Sequence, residues 1–288
     1  MWLKKCGWRC AMEKKSKKIS IWIILLILFA TGLLFSALVY GKALYDQRKA
    51  EEGYRAMAAN VNTIKDVLQS GRETTAEVDV LAELGIEIPE KNIDFASLQE
   101  ENPDIYAWIY VPGTDVDYPV LQHPTDDSYY LEHNIDGSIG KPGCIYTESL
   151  NSKDFMDPHT VLYGHNWSRK GTEVTGTMFT SLHNFEDGQV FEDNPYFFIY
   201  TPDKTYVYQI FGAYEFIAIH LLKSFDLSTK GIFQKYLDSI FDIRDMDAHI
   251  RRDVEVTADN HIITLSTCVN GDDSMRYLVQ GVLLNDGD

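Results

Sequence analysis

An uncharged apolar segment near the N-terminus constrains this chain more than any other feature. Residues 19–41 contain no Asp, Glu, Lys or Arg, and Leu and Ile dominate them. An α-helix rises about 1.5 Å per residue, so a segment of this length can cross a bilayer core of about 30 Å. We therefore predict one N-terminal transmembrane helix over residues 19–41.

A cleavable signal peptide is the alternative interpretation of this segment. The apolar region of a signal peptide usually spans about 7 to 15 residues and ends in a small-x-small cleavage site. Residues 36–40, Ser-Ala-Leu-Val-Tyr, fit such a site poorly, which favours an uncleaved anchor. Residues 1–18 carry seven Lys or Arg and one Glu. The positive-inside rule predicts this basic segment in the cytoplasm and the rest of the chain outside the cell membrane.

Charge excludes one class of function for the part outside the membrane. The total net charge of −17 and the +6 of residues 1–18 leave −23 for the remainder. Phosphate contacts need clustered Lys and Arg, so such an acidic domain is a poor candidate for nucleic-acid binding. The acidity is typical of a soluble domain or of one that attracts cationic partners.

The rest of the chain divides into two regions. Residues 42–94 form a helical stalk and linker in this prediction, because a weakly periodic apolar stripe is followed by a Glu-, Gly- and Thr-rich stretch. The helix is either a spacer or a helix docked on the following domain, and its stripe favours docking. Residues 95–288 are the predicted catalytic domain.

Short strand signals recur in that domain with turn punctuation between them. They predict a mainly β fold of about eight strands, which a closed barrel would accommodate without exposed sheet edges. Apolar residues at helical spacing over 228–241 predict one helix inserted between the late strands. The predicted strands span residues 105–111, 116–121, 144–147, 160–163, 197–200, 206–219, 262–267 and 277–284.

Three side chains at predicted strand ends suggest acyl transfer. Cys268 ends an apolar run, Arg276 follows eight residues later, and His165 comes just after the run 161–163. A thiol needs a cationic neighbour to ionise at neutral pH, histidine can move protons, and arginine can hold a developing oxyanion. We predict Cys268 as nucleophile, His165 as acid and base, and Arg276 as stabiliser. A cysteine that merely packs is the alternative.

The motifs that carry these residues resemble those of the sortases. The likeness rests on Thr-Leu-Ser-Thr-Cys at 264–268 followed by Arg276, and on Leu-Tyr-Gly-His-Asn at 162–166. The serine at 266 looks most like class B, as do residues 130–134, residues 140–146 and the inserted helix. The resemblance covers roughly residues 95 to 284. It implies a sortase-type barrel with N-terminal helices.

The resemblance also implies a reaction and its partners. Cys268 would cleave a C-terminal sorting signal of Gram-positive surface proteins after threonine and form a thioacyl enzyme. An amine acceptor such as a lipid-linked peptidoglycan precursor would then receive the protein, with no metal or organic cofactor. A pilin-polymerising sortase, a hydrolysing cell-wall cysteine peptidase and an inactive scaffold stay open as alternatives.

Other polar residues receive weaker predictions. Ser266 and Thr267 flank the nucleophile and could bond the substrate, although strand-end hydroxyls also bond backbone. The remaining seven histidines are scattered without metal-ligand spacing, so we predict no metal site. A disulfide between Cys144 and Cys268 is an alternative in an oxidising exterior, and a packed Cys144 is favoured.

Overall fold

A computed structural model describes residues 21–63, 81–167 and 177–285 of this chain. Six α-helices and nine strands lie within these ranges, together with a 3₁₀ helix at Thr180–Glu186. The helices are α1 (Ile21–Thr63), α2 (Phe95–Glu101), α3 (Tyr129–Glu132), α4 (Gly188–Asp193), α5 (Leu221–Ser224) and α6 (Lys230–Phe241). The strands are β1 (Ile105–Tyr110), β2 (Asp117–Leu121), β3 (Ile145–Thr147), β4 (His159–Tyr163), β5 (Tyr196–Tyr200), β6 (Thr205–Ile217), β7 (His249–Ile250), β8 (Ile262–Val269) and β9 (Asp272–Leu283).

Eight of these strands close into a barrel. The hydrogen-bonded order is β5-β1-β2-β3-β4-β8-β9-β6, and β6 pairs with β5 to complete the circle. The two-residue strand β7 adds to β6 outside this circle. Closure pairs the strand edges that an open sheet would leave exposed. The prediction of a mainly β closed barrel of about eight strands is confirmed, as is the helix inserted between late strands.

Three apolar clusters hold the domain together. The largest fills the barrel and includes Leu162 and Leu265, which are register partners on β4 and β8. A second cluster lies between the barrel and the amphipathic helix α6, which buries Phe233 and Leu237 against it. Period-2 alternation explains both clusters, because Val161, one residue before Leu162, belongs to the second.

The chain divides into two units, Met1–Tyr45 and Asp46–Asp288, and the boundary falls within α1. In the first unit its apolar side chains are exposed, and α1 is long and apolar enough to span a membrane by length and composition. In the second unit it docks on the domain. Val61 packs with Trp108 and Phe198 in the third cluster. Of the two roles predicted for this helix, spacer or docked element, the structure selects docking.

Tyr54 makes the most specific contact of the docked part of α1. Its ring is 2% exposed, and its hydroxyl donates to the carbonyl oxygen of Gly143 at 2.9 Å. The same hydroxyl accepts from the backbone N–H of Ile135 at 3.1 Å and lies 3.2 Å from the sulfur of Cys144. The helix therefore holds the segment between α3 and β3, which borders the site described next.

Candidate active site

Cys268 lies where β8 leaves the barrel core. Residues 262–267 of β8 are buried, whereas Cys268 is half-buried and its thiol is free. Its register partner on the neighbouring antiparallel strand β9 is Arg276. The apolar, β-branched run therefore ends with Cys268 opposite Arg276 on the neighbouring strand, as their sequence positions predict.

His165 approaches Cys268 from the other side of β8. β4 runs parallel to β8, with Tyr163 paired to Ser266. The pairing continues beyond β4, because the N–H of Gly164 donates to the carbonyl of Ser266 at 3.2 Å. His165 is two residues beyond Tyr163 and Cys268 is two residues beyond Ser266, so both follow this pair at the same end of the barrel. Because β4 and β9 flank β8, the segments that carry His165 and Arg276 lie on opposite sides of the strand that carries Cys268.

The imidazole of His165 contacts a backbone carbonyl and a lysine ammonium. Its Nε2 donates to the carbonyl oxygen of Leu131 at 2.6 Å, which assigns the proton to Nε2 in the neutral ring. The ammonium of Lys141 lies 3.4 Å from Nδ1 and 3.3 Å from Nε2. Burial lowers the pKa of His165, the bond to Leu131 opposes this, and the charge of Lys141 lowers the pKa further. His165 is therefore biased toward the uncharged form.

Two side chains fix the backbone of the cysteine. The carbonyl oxygen of Cys268 accepts a hydrogen bond from Nδ2 of Asn166 at 2.8 Å, and Nε2 of His183 lies 3.0 Å from the same oxygen. The other ring nitrogen of His183 pairs with the carboxylate of Glu186. The His183 ring stacks on Tyr277 with the centroids 4.7 Å apart. This network orients the strand end that presents the thiol.

Arg276 is half-buried at the start of the paired part of β9. Its Nη1 donates to the carbonyl oxygens of Asp273 at 3.1 Å and Met275 at 2.7 Å. A guanidinium has five N–H donors in a planar fork. These two bonds hold one end of that fork on the backbone and keep the positive charge next to the thiol strand.

The two hydroxyl residues before the cysteine are buried. Ser266 is 6% and Thr267 is 2% exposed. The hydroxyl of Thr267 donates to the carbonyl of Gly164 at 2.8 Å, so it ties β8 to the segment that carries His165. The backbone-bonding role that strand-end hydroxyls often have is thus present for Thr267. Contacts of Ser266 and Thr267 with a substrate stay a prediction.

Cys144 does not form a disulfide with Cys268, because both thiols are free. The disulfide alternative is therefore wrong. Cys144 is 1% exposed, its sulfur contacts the Tyr54 hydroxyl, and burial raises the pKa of its thiol to about 12. A thiol held in its protonated form inside the core packs and does not attack, which is the favoured interpretation of Cys144.

Sequence reasoning missed two residues that the fold brings to the site. Lys141 lies in the stretch 140–146 that contributes to the sortase likeness, and its contact with His165 had no signal of its own. His183 counted among the scattered histidines. A local clue existed for His183, since Glu186 follows at i+3, the spacing at which side chains meet on a helical turn.

Comparisons with known proteins point to one family. The sortase domain family model matches residues 109–284, more than half of the chain. Sortase B of Listeria monocytogenes is 29% identical over 193 residues, which cover 66% of this chain and 74% of that protein. The X-ray structure of Clostridium perfringens sortase B is 29% identical, with a TM-score of 0.57 over 66% of this chain and 99% of that one.

A Staphylococcus aureus sortase B–substrate complex shares the fold with a TM-score of 0.61 at 22% identity, over 84% of this chain and 100% of that one. The family match and the sortase B relatives place the chain in the class of cysteine transpeptidases. The chain belongs to the sortase family, and its relatives are of class B.

Proposed function

We propose that Cys268, His165 and Arg276 carry out a transpeptidation that joins surface proteins to a cell-wall amine. The observation that supports this proposal is the strand order β4-β8-β9, in which Cys268 on β8 is the register partner of Arg276 on β9 and His165 follows β4. Nucleophile, proton carrier and fixed positive charge then meet at one strand end, which acyl transfer requires.

In the first half of the reaction the sulfur of Cys268 bonds to the carbonyl carbon of a threonine in the sorting signal. His165 takes the thiol proton and passes it to the departing amine nitrogen as the C–N bond breaks. Arg276 stabilises the negative charge on the carbonyl oxygen in the tetrahedral intermediate. The product of this half is a thioester on Cys268.

In the second half an amine of the acceptor attacks the thioester carbonyl. The C–S bond breaks, the sulfur leaves, and the acceptor nitrogen loses a proton to His165, which returns it to the thiol. The acceptor in this proposal is a lipid-linked peptidoglycan precursor. The reaction needs no cofactor, because every bond change is an acyl transfer between sulfur and nitrogen.

Membrane attachment brings the enzyme to both substrates. Residues 19–41 form the anchor in this proposal, with residues 1–18 in the cytoplasm and the catalytic domain of residues 95–288 outside the cell membrane. The length and apolar composition of the helix and the basic N-terminus support this orientation. Surface proteins and lipid-linked precursors are both presented at the outer face of that membrane.

The experiment that tests the proposal incubates the full chain in detergent micelles with a panel of threonine-containing sorting peptides and an amine acceptor. Mass spectrometry then looks for a peptide thioester on Cys268 and for amine-linked product. Cys268→Ala should abolish both, His165→Ala should slow turnover by about 10²- to 10⁴-fold, and Arg276→Ala by about 10²- to 10³-fold. Arg252→Ala, an exposed arginine elsewhere, is the control.

The outcomes separate the candidate activities. Amine-linked product that depends on Cys268 supports transpeptidation and reveals the recognised peptide. Hydrolysed peptide as the sole product, at saturating acceptor, would instead identify a peptidase. Near-normal turnover in Arg276→Ala would remove the oxyanion role from that residue.

A further inference from the structure

A lysine contacts the histidine that serves as acid and base in the proposed function. Lys141 follows α3 in sequence, and its ammonium lies within 3.4 Å of both ring nitrogens of His165. Because Nε2 donates to the Leu131 carbonyl, Nδ1 is the ring nitrogen that can accept a hydrogen bond from the ammonium. Two positive charges at this separation repel each other strongly in a half-buried site. The ammonium therefore disfavours protonation of the imidazole ring.

The surroundings of Lys141 hold it in this place. Its ammonium lies 5.1 Å from the ring centroid of Trp167, two residues after His165, as in a cation–π contact. The side chain is half-buried, and burial lowers the pKa of Lys141, while the charges of Cys268 and Glu132 oppose that effect. A lysine that interacts electrostatically with Cys268 as well as with His165 belongs to the reacting group of side chains.

We infer that Lys141 is a positioning residue of the transpeptidation, a second active-site cation that sets the proton affinity of His165. Before acylation it keeps His165 neutral and able to take the thiol proton from Cys268. Once His165 carries that proton, the ammonium of Lys141 repels it and makes the imidazolium a stronger acid. The departing amine then receives the proton more readily, since proton transfer follows acidity.

Other charged and titratable groups face this cluster from each neighbouring element. Glu132 at the end of α3 is exposed and favours protonation of His165, in opposition to Lys141. Arg276 lies on the far side of the thiol strand, as the register partner of Cys268. Among the described residues, the charged and titratable groups considered near this cluster are Lys141, Glu132, Cys268 and Arg276. Lys141 is the one of these that contacts the imidazole.

The inference rests on the proposed function, and its test is a titration of His165 that requires no turnover. The rate of deuterium exchange at Cε1 of histidine is measured by mass spectrometry on single peptides over a range of pH. It gives the titration midpoint of each histidine in the full chain. Lys141→Met keeps an unbranched side chain for Trp167 and removes the charge. It should raise the midpoint of His165 by about one pH unit. Lys141→Arg, which keeps the charge, should leave the midpoint near that of the wild type.

A parallel readout uses the pH profile of kcat/KM for the peptide substrate. The acidic limb of this profile should shift to higher pH together with the His165 midpoint in Lys141→Met. It should stay at the wild-type pH in Lys141→Arg. Lys153→Met is the matched control, because Lys153 also lies over an aromatic ring, that of Tyr106, and does not contact His165. This control should shift neither the midpoint nor the profile.

An unchanged His165 midpoint in a folded Lys141→Met chain would overturn the inference, as would an equal shift in Lys141→Arg. Lys141→Gln is a second neutral variant if Lys141→Met does not fold, and the same shift is expected of it. Absence of turnover in the wild-type chain would refute the proposed function alone. The titration would still decide whether Lys141 controls the proton on His165.

Discussion

Replacing Tyr54 by phenylalanine tests how strongly the docked part of α1 holds the catalytic domain. The ring would keep its packing, including the edge-to-face contact with Tyr118 at 5.9 Å between centroids. The hydroxyl would be lost. The carbonyl of Gly143 and the N–H of Ile135 would then lose the partner they have now, in a position where the tyrosine is 2% exposed.

The expected loss of stability follows from these two backbone groups. A buried donor or acceptor left without a partner costs about 1–3 kcal/mol. Part of that cost disappears if the segment relaxes, so we expect a loss of about 3 kcal/mol for both groups together. A domain of this size loses roughly 2–4 °C of melting temperature per kcal/mol, which predicts a decrease of about 6–12 °C.

Thermal unfolding of the full chain in detergent micelles, followed by near-UV circular dichroism, measures this effect on tertiary packing. Tyr45→Phe is the matched control, because Tyr45 lies on the same helix and is 68% exposed. The control should change the unfolding free energy by less than about 0.5 kcal/mol. A Tyr54→Phe chain that melts with the wild type would refute the assignment of the two hydrogen bonds as stabilising contacts.

Two further predictions concern the site segment and acid stability. Gly143 has φ +72°, and a Cβ there would lie 2.8 Å from the Tyr130 carbonyl oxygen and 3.3 Å from Cδ2 of His165. Gly143→Ala should lower both melting temperature and turnover, and wild-type kcat would contradict that steric account. Burial lowers the pKa of His159 to about 3, so the unfolded chain binds more protons below about pH 6.5. His159 does not reduce the free energy of unfolding above that pH. Below it, the free energy of unfolding should fall by up to about 1.4 kcal/mol per pH unit toward pH 3. His159→Gln should flatten the decline in urea unfolding free energy, and an unchanged slope would remove His159 as its source.

The proximity of Cys268 and Arg276 could be predicted from the sequence because the two residues belong to adjacent strands. Arg276 is the eighth residue after Cys268, and a short turn between antiparallel strands makes such residues neighbours. The inserted helix was equally accessible, since the apolar residues of α6 recur at helical spacing over one continuous stretch. In both cases the information is local in sequence.

The cation beside His165 could not be predicted, because its contact depends on several separate interactions. Lys141 is brought there by the segment between α3 and β3, which folds back through the bond from the Cys144 N–H to the Tyr130 carbonyl. His183 reaches Cys268 across 85 residues of sequence. Contacts of this kind depend on loop paths that carry no periodic pattern, and only the assembled barrel specifies them.

β9 joins two strands that both precede it in sequence, which has a consequence for the order of folding. β9 bonds to both β8 and β6, and β4 meets β8 only after about a hundred intervening residues. Pairings between distant segments form late, because their loop-closure entropy has to be overcome first. A nascent chain that ends at Val269 already contains the cysteine and the histidine, yet it lacks Arg276 and the strand that joins the two sides of the sheet. A chain cut short at this point cannot close the barrel, because the edges of β8 and β6 that β9 joins stay unpaired.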